Sequence, residues 1–184
     1  MILESAARLI RESGAACLTV EATAKGAGVA KGLVHYHFKT KAGLLRAVLS
    51  VLTARRCEKW SDALRVPNAA EAVSRSWALL TEESADGTLR AWHSLLGDNQ
   101  LLTDQIAKDV SAQFSRSLSE GLTRMMDQQL GVVPTIPVAE IGWLLAAVTN
   151  GIGLQLMART AEEELEGAYA AAWLGILSLT QPKT

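Results

Sequence analysis

Apolar residues recur three and four apart along almost the whole chain, and the two-residue alternation of a half-buried strand is nearly absent. Leu3, Ala6, Ala7 and Ile10 form a first helical stripe, which Gly14 ends. Thr19 is a good N-cap ahead of Val20, Ala24 and Ala27, and Gly28 supplies a tight turn, so the second helix is only about two turns long. A third short helix is predicted from about Ala30 to His37. Thr40 then caps a longer fourth helix that carries Leu44, Leu45, Val48, Leu49 and Leu52 and continues to about residue 65.

Beyond Cys57 the breaks are few: Pro67-Asn68, Asp86-Gly87, Gly97 to Asn99, and Gly131 to Pro137. Between them the spacing predicts helices over 69–84, 88–96, 101–130, 138–158 and 162–179, with ends uncertain by about 2 to 4 residues. The expected class is all-α: an N-terminal three-helix helix-turn-helix domain followed by a C-terminal helical body. The head is assigned to 1–49 with the fourth helix as connector, and the body to 50–184.

Two short helices around a glycine-containing turn are the pattern of a helix-turn-helix. With Val34 as the inward reference at 100° per residue, Ala30, Lys31, His37 and Phe38 turn toward the core, and Gly32, Leu33, His35 and Tyr36 turn outward. The outward set suits a DNA groove. Gly32 permits close backbone approach, His35 and Tyr36 can hydrogen-bond phosphate or base edges, and Leu33 can meet a thymine methyl. A partly buried aromatic corner is the alternative for His35-Tyr36-His37. The two histidines diverge on a helix, so no metal site is expected there.

Charge strengthens the first reading. Residues 1 to 56 hold nine Lys and Arg against three Glu, a balance of +6, so a total of -1 leaves -7 for the remainder. A basic head on an acidic body is the electrostatic footprint of a polyanion-binding module joined to something that is not one. Nearly half the residues are apolar and Pro is scarce, which excludes a disordered chain. Cys17 and Cys57 fall in different predicted elements and are expected as reduced thiols of a cytoplasmic protein, since the N-terminus runs straight into an amphipathic helix. The uncharged stretch Ile141 to Ala158 approaches membrane-span length, but Thr149, Asn150, Gln155 and three glycines make a buried soluble helix the better reading.

The run ILESAARLIRESG…LTVEATAKGAGVAKGLVHYHFKTKAGLLRAVL, from Ile2 to Leu49, resembles the N-terminal domain of the TetR family of transcriptional regulators. The resemblance rests on Thr19-Val20, Ala27-Gly28-Val29, Lys31-Gly32, Tyr36, Phe38, and Lys41 followed by Leu44-Leu45. It implies a two-fold dimer, a C-terminal effector-binding and dimerisation domain, and repression of a double-stranded DNA operator relieved by a small molecule. It places Thr19 and Lys41 at helix N-termini that meet phosphate, and Lys31, Gly32, Leu33, His35 and Tyr36 along the recognition helix. For Lys41 physics agrees, because a cation beside helix-terminal amides is a ready phosphate site. Three residues depart from the family pattern: Thr23 for a large aliphatic residue, Ala30 for a hydroxyl cap, and Gly43 for the acidic member of a capping box.

The resemblance is strong over the first quarter only, so the body is read from its pattern. Val138, Ile141, Leu145, Val148 and Ile152 form one seam of the eighth predicted helix, and Leu144, Ala147, Gly151 and Leu154 form another. A helix apolar on two sides is covered on both, one in its own core and one against a partner. With the stripe Ala168, Ala172, Gly175, Leu179 of the last helix, this predicts a four-helix homodimer interface made by Val148, Gly151, Ile152 and that stripe. A monomer core is the alternative. All five tryptophans lie behind the head, and Trp77, Trp92, His93, Phe114, Met125, Trp143 and Asn150 are candidates for an apolar effector pocket. Aromatics at helical spacing can equally be plain core. Glu162 to Glu164 read as a solvated helix start.

An enzyme is disfavoured. GxSxG, HExxH and phosphate-cradling glycine motifs are all missing, His93 has no catalytic partner in sequence, and no cofactor is expected. A body that docks a protein partner instead of a small molecule is the remaining alternative.

Overall fold

A computed structural model of the chain describes residues 1–102, 105–159 and 161–183. Its helices are α1 (Ile2–Ser13), α2 (Val20–Ala27), α3 (Lys31–Phe38), α4 (Lys41–Ala63), α5 (Ala69–Ala85), α6 (Thr88–Leu96), α7 (Asn99–Leu102), α8 (Gln105–Met125), α9 (Val138–Met157) and α10 (Glu162–Ser178). A 3₁₀ turn over Ala15–Cys17 follows α1, and a π turn over Met126–Leu130 follows α8. The helical class is as expected. The described residues of the expected helix over 101–130 belong to α7, α8 and the π turn, and its residues 103 and 104 lie outside the described residues. The pattern also missed two three-residue strands, β1 (Val132–Pro134) and β2 (Thr180–Pro182), which pair antiparallel with Val133 opposite Gln181. Three residues are too few to show alternation.

The chain forms two compact units, Met1–Ala54 with Ala85–Ser111, and Arg55–Ser84 with Ala112–Thr184. In the first, α1 packs on α2 and α6, and α2 on α3. The α1–α2 crossing is close because small polar residues meet there. The Ser5 hydroxyl donates to the Thr23 carbonyl at 3.1 Å, and a Cβ on Gly26 would collide with that same hydroxyl. Thr23 is fully buried and donates to the Thr19 carbonyl at 2.8 Å, so a hydroxyl, not a bulky aliphatic chain, fits this crossing. The apolar run of α4, Leu44, Leu45, Val48, Leu49 and Leu52, is buried as a block.

Arg90 on α6 donates to the carbonyls of Arg11 and Glu12, at 3.2 and 3.0 Å, which are among the unpaired acceptors at the end of α1. Ser94 accepts from the Ala15 amide at 3.1 Å. These bonds tie α6 to the end of α1 within the same unit.

In the second unit α9 packs on α10. Ile141, Leu145 and Thr149 of α9, and Leu165, Tyr169, Trp173 and Ile176 of α10, are buried. Beside the paired strands the Lys183 amide donates to the Gly131 carbonyl at 2.9 Å and its ammonium pairs with Asp127.

Candidate functional site

The helix-turn-helix is built as its residues dictate. Thr19 caps α2, its hydroxyl accepting from the Ala22 amide at 3.0 Å. Gly28 ends α2 in the left-handed region, at φ 66°, where a side chain would be strained. The Val29 amide returns to the Ala24 carbonyl at 3.0 Å, and Ala30, extended, leads into α3 without a side-chain cap.

On α3 only Val34 is fully buried, with Phe38 one turn later half-buried. Lys31, Gly32, Leu33, His35 and Tyr36 are all exposed, Tyr36 at 77% and Leu33 at 42%. The outward set is therefore as the periodicity gives it. The inward set is narrower: Ala30, Lys31 and His37 are exposed. A two-turn helix resting on one buried position and its i+4 neighbour leaves its ends uncovered, and Lys39 at φ 58° turns the chain away immediately after it. His37 thus joins the exposed face, and its ring meets Tyr36 edge-on with centroids 5.4 Å apart.

Lys41 begins α4, and its ammonium donates to the Ala16 carbonyl at 3.1 Å, three residues before the Thr19 cap. That bond holds a cation close to the chain leading into α2. Thr40 caps α4 through the Gly43 amide at 3.0 Å. Gly43 sits against the backbone carbonyl of Phe38, where a Cβ would collide. The departure from an acidic capping residue is a packing requirement of the α3–α4 corner.

The head is less basic than its sequence count suggests. Arg55 and Arg56 belong to the second unit, and without them residues 1 to 54 hold seven cations against three anions. Arg56 is withdrawn altogether: its guanidinium forms three hydrogen bonds to Glu83, lies 4.4 Å over the Phe114 ring, and is 1% exposed.

The residues expected to line an effector pocket belong to both units. Trp92 and His93 stand on α6 in the first unit; Trp77, Phe114, Met125, Trp143 and Asn150 belong to the second. Phe114 and Met125 are buried, Phe114 edge-on to Trp60 at 6.0 Å. Trp143 is half exposed on α9 beside Leu144 and shares none of that burial. The second unit also contains a polar cluster that the sequence did not single out. Tyr169 donates to the Ser76 hydroxyl at 2.9 Å and its ring lies 5.6 Å from Trp77. Burial pushes the Tyr169 phenol above its ordinary pKa, with the side-chain hydrogen bond to Ser76 opposing the shift. The side-chain oxygen of the neighbouring Asn150 is buried without a hydrogen-bond partner among the described residues.

The expected dimer residues all retain access to solvent: Gly151, Ala168 and Gly175 are exposed, and Val148, Ile152, Ala172 and Leu179 half-buried. Leu144, Leu154 and Leu174, 42%, 50% and 69% exposed, belong to the same two helices. A Cβ on Gly151 or Gly175 would meet nothing within 4 Å. Among the described residues no group of three or more His, Cys, Asp or Glu could hold a metal ion, and no helix is long and apolar enough to cross a membrane.

Residues 2–48 match the family model of bacterial regulatory proteins of the TetR family. No curated protein sequence matches the chain. Solved structures of the same fold include a transcriptional regulator from Rhodococcus sp. RHA1, 22% identical, covering 97% of this chain and 95% of that one, with a TM-score of 0.76. The regulator FadR of Bacillus subtilis, solved in complex with stearoyl-CoA, is 18% identical over 96% of each chain, with a TM-score of 0.73. The TetR-family regulator PfmR of Thermus thermophilus is 20% identical over 94% of this chain and 93% of its own, with a TM-score of 0.62.

Proposed function

We propose, for a chain whose head belongs to the TetR family of bacterial regulatory proteins and whose whole length carries that family's fold, a dimeric transcriptional repressor released from a palindromic operator by a small molecule. The observation that carries this reading is the exposed face of α3, Lys31, Gly32, Leu33, His35 and Tyr36, on a helix-turn-helix with Thr19 and Lys41 at the starts of α2 and α4. The DNA-binding function is assigned to 1–49 and effector binding and dimerisation to 50–184. The protein acts in the cytoplasm, without a cofactor and not as an enzyme.

The partner for the α9–α10 face is a second copy of the chain. Aliphatic side chains left in water beside glycines that offer open space favour close helix packing, and two heads are needed to reach two half-sites. The effector is amphipathic, with an apolar body and one or two polar handles. The buried Asn150 oxygen supports this, because it can accept from a ligand N–H or O–H. Of the ligand that FadR was solved with, stearoyl-CoA, only the acyl chain matches this description, because its coenzyme A head is highly charged.

The test is capture of genomic fragments by the purified protein, followed by a ligand screen on tryptophan fluorescence. A ligand that shifts fluorescence must weaken operator binding, and operator must weaken ligand binding by the same factor. Ligands that move fluorescence but leave operator affinity unchanged at saturation contradict sensing and favour a protein-docking body.

A further inference from the structure

Resting on the assignment of α3 to the DNA groove, we infer that Leu33 reads the C5-methyl of a thymine at one equivalent position of each half-site. Among the described residues of the first unit only three large apolar side chains stay exposed, Met1, Leu33 and Tyr36. Leu33 is the one branched aliphatic chain of the three. Its neighbours do not shelter it. Gly32 has no side chain, the space where its Cβ would stand is open to 4 Å, and Tyr36, one turn on, projects on the same side.

The surroundings define what can cover this side chain. Lys31 and Lys39 are exposed on either side and Lys41 follows, so the surface attracts a polyanion. Within a polyanion's major groove an aliphatic chain gains nothing from phosphates or from hydrogen-bonding base edges. The apolar group presented there is the thymine methyl. The open backbone at Gly32 allows the helix to approach closely enough for van der Waals contact. The composition of α3, KGLVHYHF, sharpens the point: it lacks Arg, Asn and Gln, whose forked side chains read guanine or adenine bidentately. Polar readout therefore falls to Lys31, His35, Tyr36 and His37, and the apolar readout to Leu33.

The full chain is first used to select duplexes from a random-sequence library. Failure to enrich a two-fold motif overturns the regulator reading, and is seen before the Leu33 contact is tested. In the enriched duplex each thymine is then replaced singly by deoxyuridine, which removes only the methyl. At one symmetry-related position the wild type is expected to lose about fourfold in affinity per half-site, the fold-change of one buried methyl at about 0.8 kcal/mol, and about fifteenfold when both half-sites are changed. Leu33→Ala is expected to bind thymine and uracil duplexes equally, and thymine duplexes more weakly than the wild type does. Wild-type binding unaffected at every thymine, or an equal loss in wild type and Leu33→Ala, overturns the inference.

Discussion

Arg56 on α4 and Glu83 on α5 form a buried ion pair, with Arg56 Nε donating to both carboxylate oxygens at 2.9 and 3.0 Å and Nη2 to Oε2 at 2.8 Å. Both side chains are 1% exposed, and Trp60 donates to the same carboxylate at 3.3 Å. Taking two charges out of water is costly, and the pair persists because each charge is matched by the other and by further contacts. Removing one partner strands the other. Glu83→Ala is expected to destabilise the fold by about 3 to 5 kcal/mol, or roughly 6 to 20 °C in melting temperature, whereas the double variant Arg56→Met with Glu83→Leu recovers most of the loss. Thermal unfolding checks both, and an unchanged midpoint for Glu83→Ala contradicts a matched buried pair.

Lys41→Ala is expected to weaken DNA binding on all sequences alike and to lower the magnitude of the salt slope by about one, as one phosphate contact is lost. Fluorescence anisotropy titrations at several salt concentrations read this directly. An unchanged slope removes Lys41 from the phosphate contacts.

The exposed face of α9 and α10 predicts the oligomer. Gly151→Arg or Leu174→Asp is expected to give monomers by sedimentation, with operator affinity falling because two half-sites are no longer bridged. Variants that keep the wild-type mass place the interface elsewhere.

Alkaline stability follows from Tyr169. Its folded pKa is raised above the ordinary 10.0, chiefly by burial, so the native state holds a proton that the unfolded chain gives up first. The associated stability is complete below pH 10 and is lost as pH rises from there through the folded value. Cys57, raised from 9.0 mainly by burial, acts in the same direction one unit lower. The melting temperature should fall more steeply above pH 10 in the wild type than in Tyr169→Phe. Parallel curves contradict this assignment.

Much of the head was legible because its signals are local. Thr19 and Gly28 bracket α2 within ten residues, and the α4 stripe from Leu44 to Leu52 matches the helical period. The long-range pairings were not legible. Arg56 and Glu83 are 27 positions apart, Arg90 and Arg11 are 79 apart, and no periodic pattern links them. The same reason hides the membership of α6 in the first unit, whereas the other expected pocket residues belong to the second. Trp143 shows a different limit. On a helix apolar on two sides, periodicity finds the sides but not which one faces the protomer core. His37 failed because a short helix buries less than a full face.

The function proposed above is that of a dimer reading DNA sequence through α3. Its most direct test is one competition titration: the full-length wild type on the selected palindromic duplex and on the same composition scrambled, at one physiological salt concentration. Binding is expected to be at least about a thousandfold tighter to the palindrome, a gap that Tyr36→Phe narrows while leaving the dimer intact. Equal affinity for palindrome and scramble, with the dimer intact, contradicts it.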